Sequence, residues 1–334
     1  MRRSWIQALA VAGAAMLGLT ACASGSVSGG AAAPTSTTGG TAAASGPTEK
    51  VTVGLWPSSA VAAFELGKQE GIFAKHGIDL EIVLGAGSAA HLPAVSSGAM
   101  DFMVASPITP LTATTRGLDL KIVSGYARNN PDVADDSTVV VAKDPAIQRP
   151  ADLAGKRVSI NALGSIGEIG IKEAVEKDGG DPNTIEFVQL GLNEVAAQLD
   201  GNQIDAGMTG TPFTQAIVAG GGRVVSDFIK EADLGKTELV VVGGGKTLND
   251  RPEVTKNFVA ALQEALPYAD ANQDKIRAML PDMLGTKPEI AEKMVFMQWS
   301  ADLDEANIQR FADLMVKFKI VDSEPEVAKT IWKP

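Results

Sequence analysis

The sequence predicts an α/β protein built from two homologous lobes, each a mostly parallel sheet with helices on both faces, joined by a two-strand hinge. Three observations carry this prediction. Residues 51–125 and 158–226 repeat one order of elements, short apolar runs of strand length alternate with helical patterns through both copies, and an extended apolar segment follows each copy.

The first copy opens on the strand Val51-Thr52-Val53-Gly54-Leu55, which runs into Trp56-Pro57-Ser58-Ser59. The second opens on Val158-Ser159-Ile160-Asn161-Ala162, which runs into Leu163-Gly164-Ser165-Ile166, so Ser58 and Ser165 share one offset. Ile78 to Leu84 and Thr184 to Leu190 are the second strands, closed by Gly85 and Gly191. Ser88 and Asn193 stand where helix N-caps belong, and Gly98 and Gly201 where those helices end. The third strands, Met100 to Ala105 and Ile204 to Thr209, each carry an aspartate near the start, Asp101 and Asp205. They lead to Ser106-Pro107 and Thr211-Pro212, whose prolines suit the first position of a following helix. Strand-helix alternation implies parallel strands joined by right-handed crossovers. Ligands of such sheets lie outside the carboxyl ends of the strands.

Lobe 1 is expected over residues 49–136 and lobe 2 over 137–240, with hinge strands at about 137–142 and 237–242. Residues 241–334 form a tail, helical from about Arg251, with apolar residues at helical spacing from Val254 to Leu266 and from Leu303 to Phe318. A chain returning through the second hinge is expected to pack this tail on lobe 1.

Before the lobes, Arg2 and Arg3 precede an uncharged, largely apolar stretch from Trp5 to Leu19, too short to span a bilayer comfortably. Leu19-Thr20-Ala21-Cys22 has the order that a lipoprotein signal peptidase reads, so residues 1–22 are expected to be an export signal. Cys22 is then the lipidated (palmitate-type) first residue of the mature protein. It is the only cysteine, so no internal disulfide forms. Residues 23–48 are nearly all Gly, Ala, Ser, Thr and Pro, the composition of a flexible linker. The expected location is the outer face of the cytoplasmic membrane, with either general or twin-arginine export open. Formal charge is −11, and about −13 once both arginines are cleaved away, which argues against nucleic acid as a partner.

Candidate ligand contacts lie at the strand edge. Ser58 with Ser59, and Gly164 with Ser165, head helices whose N–H groups and dipole favour an anionic or polar acceptor, though simple capping also accounts for them. Trp56 lies in the same loop and fits either a ligand or the core. Ser106, Thr209 and Thr211 complete the ring by the repeat. Arg128 follows the fourth strand, where it either pairs with an anionic ligand or stands at the surface.

Catalytic signatures fail one by one. Gly243-Gly244-Gly245-Lys246-Thr247 lacks the first glycine of a phosphate-binding loop, Val240 standing there. Leu163-Gly164-Ser165-Ile166-Gly167 lacks the first glycine of a nucleophile elbow, and both histidines, His76 and His91, precede Ser165, which excludes hydrolase chemistry of that fold. Asp270, Asn272 and Asp274 begin like a calcium loop, but Lys275 and Pro281 replace its glycine and glutamate. Two histidines and one cysteine make a transition-metal site unexpected. No catalytic residue, metal or cofactor is expected.

Glu65-Leu66-Gly67-Lys68-Gln69-Glu70-Gly71-Ile72-Phe73 followed by His76-Gly77-Ile78-Asp79-Leu80 resembles a segment of the substrate-binding proteins of ABC transporters for aliphatic sulfonates, nitrate, taurine and thiamine-pyrimidine precursors. Ser97 to Phe102, Ala151 to Val158 and Asp205-Ala206 are similar to further motifs of that family, and the likeness covers residue 50 to about 270. It implies a type II periplasmic-binding-protein-like fold that closes on a small solute as a monomer and delivers it to an ABC permease and its ATPase. The alternative function on the same fold is a sensory lipoprotein that presents its ligand to a membrane receptor. The chain departs from the pyrimidine-synthase branch, which depends on a cysteine-rich segment.

Overall fold

The computed structural model describes residues 48–85, 87–133, 138–211 and 213–334. The expected signal, Cys22, the linker up to residue 47, Ser137 at the start of the first expected hinge and Pro212 lie outside the described residues. No helix among the described residues is long and apolar enough to cross a membrane.

Among the described residues, eleven strands make two sheets. In chain order they are β1 (Glu49–Leu55), β2 (Ile78–Leu84), β3 (Phe102–Ala105), β4 (Leu120–Arg128), β5 (Val139–Ala142), β6 (Arg157–Ile160), β7 (Glu186–Gln189), β8 (Ala206–Thr209), β9 (Arg223–Ser226), β10 (Leu239–Gly244) and β11 (Gln298–Trp299). The first sheet has the order β11-β4-β10-β3-β1-β2 and the second β7-β6-β8-β5-β9. Laid side by side, β2-β1-β3-β10-β4 matches β7-β6-β8-β5-β9 strand for strand. β1, one strand in from the edge, pairs parallel with β2 and β3, as β6 does with β7 and β8. The duplication is therefore topological as well as sequential.

The matched aspartates make the same tie in both lobes. Asp101 Oδ2 accepts from the Thr52 N–H at 2.9 Å, and Asp205 Oδ2 accepts from the Arg157 N–H at 2.8 Å. Each carboxylate thus ties the start of the third strand of its lobe to the start of the first. An arginine completes each site, Arg251 from the tail to Asp101 at 2.6 Å and Arg157 itself to Asp205 at 2.8 Å.

The segments expected as hinge strands are also sheet strands. β5 runs antiparallel between β8 and β9, and β10 runs antiparallel between β3 and β4. All residues of both strands are buried, because each slots between two strands of a lobe the chain has just entered, where four or more apolar residues in a row can face packed side chains on both sides. Among the described residues, the chain leaves lobe 1 after β4 and lobe 2 after β9, so the passages between lobes precede β5 and β10.

Local caps also shift. The first helix of lobe 1 is Val61–Gln69 with Ala60 as its N-cap, so Ser58 sits two residues ahead of the cap and accepts the Ala60 N–H at 3.3 Å. Gly98 ends its helix in the left-handed region at φ 76°, but Gly201 does not, and its neighbour Asn202 takes that conformation at φ 52°. Asparagine tolerates it through its short polar side chain.

Strand alternation sorts the core. Val51, Val53, Leu55 and Val241 face a cluster shared with the tail helices Pro252–Ala271 and Gln273–Leu284. Val240 and Val242 face the other side, where Ile308, Phe311 and Met315 of the helix Glu305–Lys317 join a cluster that continues to Val158, Ile169 and Met208 of lobe 2. The tail therefore packs on lobe 1 through its first helices and touches both lobes through Glu305–Lys317. Burying Phe311 and its neighbours at about 1.5–3 kcal/mol each makes this helix a substantial strut.

Candidate functional site

A cavity of about 200 Å³ opens where the lobes and both passages meet. Lobe 1 contributes Trp56, Ser58, Ser59 and Ala60 after β1. Lobe 2 contributes Leu192, Gly210 and Thr211 from loops after β7 and β8. Thr138 and Glu238 contribute from just before β5 and β10, Leu239 from the start of β10, and the tail adds Val295, Phe296, Met297 and Trp299. The position follows from topology, since these loops leave the carboxyl ends of parallel strands.

The Trp56–Ala60 loop is held at both ends by buried polar groups. His91 Nε2 donates to the Leu55 carbonyl at 2.9 Å, and that oxygen also accepts the Gly85 N–H at 2.8 Å. At the far end, the Tyr126 hydroxyl on β4 donates to the Ala60 carbonyl. Tyr126 is fully buried and its ring stacks on Phe64 at 5.0 Å. Burial pushes its phenol well above the ordinary tyrosine range, so the hydroxyl stays a donor.

The helix head beside this loop is closed on itself. The Val61 and Ala62 N–H groups donate to the Ser58 and Ser59 carbonyls at 3.1 Å. In lobe 2, Glu168 reaches back to accept the Gly164 N–H at 2.8 Å, and Lys172 balances it at 2.6 Å. Glu168 in the first turn suits the macrodipole, and the N–H it accepts is that of Gly164, one residue ahead of the N-cap Ser165.

Of the residues singled out in the sequence, the fold brings Trp56, Ser58, Ser59 and Thr211 to this cavity. Five others lie elsewhere. Ser106 follows β3 and does not line it. Arg128 is exposed at the end of β4 and donates from Nε to Gln298 Oε1 at 3.2 Å. Gly164, at φ 70°, approaches Ile320 of the tail, and the Ser165 hydroxyl is buried. Thr209 is wholly buried and donates to the Leu192 carbonyl at 3.3 Å, which fixes a loop that does line the cavity.

Sequence reasoning missed the passage and tail contributions. Phe296 and Trp299, with ring centroids 5.4 Å apart, form an aromatic wall supplied by the run Val295-Phe296-Met297-Gln298-Trp299. An apolar run of strand character inside a helical tail was the available signal. Glu238 is buried, standing directly before the wholly buried β10. A carboxylate against a continuous apolar strand is a second such signal.

A family model described as "NMT1/THI5 like" matches residues 58–276, about two thirds of the sequence. The chain belongs to this family. A Brucella abortus (strain 2308) protein whose name gives it only as a binding protein is 24% identical over 231 residues, 66% of each chain. This chain thus aligns with just under two thirds of that relative. A 4-amino-5-hydroxymethyl-2-methylpyrimidine phosphate synthase of Saccharomyces cerevisiae is 25% identical over 268 residues, 75% of each. Among solved structures, the periplasmic aliphatic sulphonate binding protein SsuA of Escherichia coli superposes with a TM-score of 0.70 at 19% identity, covering 86% of this chain and 92% of that one. The periplasmic nitrate-binding protein NrtA of Synechocystis does so with a TM-score of 0.67 at 13% identity, covering 84% of each. The NMT1/THI5-like chain thus has the periplasmic-binding-protein fold expected from its sequence.

Proposed function

We propose that this chain is an extracytoplasmic solute-binding protein of an ABC importer, anchored by lipid on Cys22, which captures a small solute by closure of its lobes and hands it unchanged to a permease. The observation that carries the reading is one cavity lined by both lobes and by both passages between them, so that a solute there touches every part whose relative position changes on closure. The fold shared with sulphonate- and nitrate-binding proteins supports it. So does the Gly/Ala/Ser/Thr stretch after Cys22, which suits a tether. In this reading Trp56, Ser58, Ser59 and Thr211 are ligand contacts, and the protein acts as a monomer.

The likeness to the yeast synthase favours a second reading, an enzyme of pyrimidine chemistry. One experiment separates the two. The purified chain is screened by thermal shift against small solutes, and any that raises the melting temperature is followed by solution scattering and by recovery of the solute. A smaller radius of gyration with the solute recovered unchanged is expected. A converted solute overturns the binding reading. For the anchor, Cys22→Ala is expected to abolish labelling by a clickable fatty acid in the native host, and persistent labelling overturns lipidation.

A further inference from the structure

We propose that Asp270 and Arg277, neither of which lines the cavity, are positioning residues of the binding site: they fix where the aromatic wall of Phe296 and Trp299 stands relative to Trp56. This rests on the solute-binding reading above and adds to it what sets the shape of the site.

The wall is built from chain with little regular structure. Of residues 294–299 only Gln298 and Trp299 form a strand, and that strand has β4 on one side alone. Met294, Phe296 and Trp299 are buried, and buried irregular backbone needs partners for its polar groups. The two preceding helices supply them. At the end of the segment, the Trp299 N–H donates to Asp270 Oδ1 at 3.1 Å, from the last turn of Pro252–Ala271. At its start, Arg277 of Gln273–Leu284 donates from Nε and Nη2 to the Met294 carbonyl at 3.4 and 3.3 Å. The guanidinium carbon also stands 5.3 Å from the centroid of the Phe296 ring.

One planar group thus meets both the backbone and the ring, which a lysine ammonium does not reproduce. Arg277 also pairs with Asp274 at 2.8 Å, but that carboxylate is wholly exposed and the pair contributes little. These bonds account for the residues that begin like a calcium loop: Asp270 holds Trp299, Asp274 flanks Arg277, and Asn272 donates to the Tyr268 carbonyl at 2.7 Å. A binding site keeps its shape when its walls are held by hydrogen bonds and packing from behind. His91 and Tyr126 hold the Trp56–Ala60 loop in that way, and Asp270 and Arg277 hold the wall.

The test needs no solute. The full chain labelled with fluorotryptophan gives fluorine NMR lines for its four tryptophans, assigned by single Trp→Phe variants. Asp270→Leu and Arg277→Gln are each expected to shift or split the Trp299 line and to shift the Trp56 line, with circular dichroism that matches the wild type. The Trp332 line is the control and is expected to stay, since the Trp332 N–H donates to Ile122 near the start of β4. Asp270→Asn keeps an acceptor for the Trp299 N–H and is expected to give the wild-type lines. Arg277→Lys keeps the charge without the fork and is expected to move them.

A role in stability alone lowers the melting temperature and leaves the folded-state lines in place, and that result overturns the proposal. An Asp270→Asn spectrum like that of Asp270→Leu overturns the assigned hydrogen bond, and a wild-type Arg277→Lys spectrum overturns the part given to the fork. Should Asp270→Leu or Arg277→Gln not fold, the Asn and Lys variants decide by the same lines. Moved lines in a chain that binds nothing in the thermal-shift screen uphold the positioning of the wall and overturn the solute-binding reading.

Discussion

Lys317 Nζ, at the end of the tail helix Glu305–Lys317, stands 2.6 Å from Glu173 Oε2 in the middle of the lobe 2 helix Ile166–Lys177. Arg310 of the same tail helix donates to the other Glu173 oxygen. The strut that packs on lobe 1 is thereby tied to lobe 2 by a carboxylate whose side chain is only 4% exposed. Burial alone would raise Glu173, but hydrogen bonds and charge from Lys317 and Arg310 outweigh it and hold the carboxyl below the ordinary glutamate range.

Glu173→Gln is therefore expected to destabilise the chain at neutral pH. A broken buried pair costs about 3–5 kcal/mol, and partial exposure of Arg310 and Lys317 reduces this to roughly 1–3 kcal/mol. A carboxyl with a lowered folded value contributes stability above its unfolded value, and this is lost as pH falls through the folded one. Urea midpoints of wild type and variant should differ at pH 7 and converge on acidification below about pH 4. Parallel curves at all pH values contradict the pairing.

Glu231 gives the opposite sign. Burial raises its carboxyl above the ordinary range, aided by the charges of Asp227 and Asp178, although the Ser226 hydroxyl donates to it at 2.5 Å. The charged form is thus disfavoured in the fold, and wild type gains relative stability as pH falls through the raised value. Glu231→Gln should be as stable as wild type or up to about 1 kcal/mol more stable at pH 8. That advantage should shrink toward pH 5 in melting curves. An advantage that grows on acidification contradicts it.

Tyr126→Phe keeps the Phe64 stack and removes the donor to the Ala60 carbonyl. An unmet buried carbonyl costs about 1–3 kcal/mol, and the Trp56–Ala60 loop loses one of its two fixings. Lower unfolding free energy and weaker solute binding are both expected, since loop order must then be supplied on binding. Wild-type affinity in the variant removes Tyr126 from a positioning role.

Ser58 and Ser165 occupy one offset in the repeat but different surroundings. Ser58 lines the cavity, and Ser165 does not. Ser58→Ala should weaken binding several-fold, and Ser165→Ala should leave affinity within about twofold, each read by calorimetry on the same solute. The reverse order would move the site toward lobe 2.

The sequence by itself determined the lobes. Strand-length apolar runs, helix patterns and turn residues are local signals, and their repetition in one order revealed the duplication that β2-β1-β3 and β7-β6-β8 display. Asp101 and Asp205 were legible for the same reason, each standing one residue before a strand that pairs with the start of its lobe. Tertiary structure alone decided that β5 and β10 are interior strands, because an apolar run reads the same whether it links two sheets or fills one. It alone brought Phe296, Trp299 and Glu238 to Trp56. Chain distance hides such neighbours, which meet only after the passages close two lobes and a tail around one cavity. The helix heads show the limit most plainly: Ser58 and Ser165 carry equal promise in sequence, but Ser58 stands two residues ahead of its helix cap at the cavity, whereas Ser165 is itself the cap, its hydroxyl buried away from it.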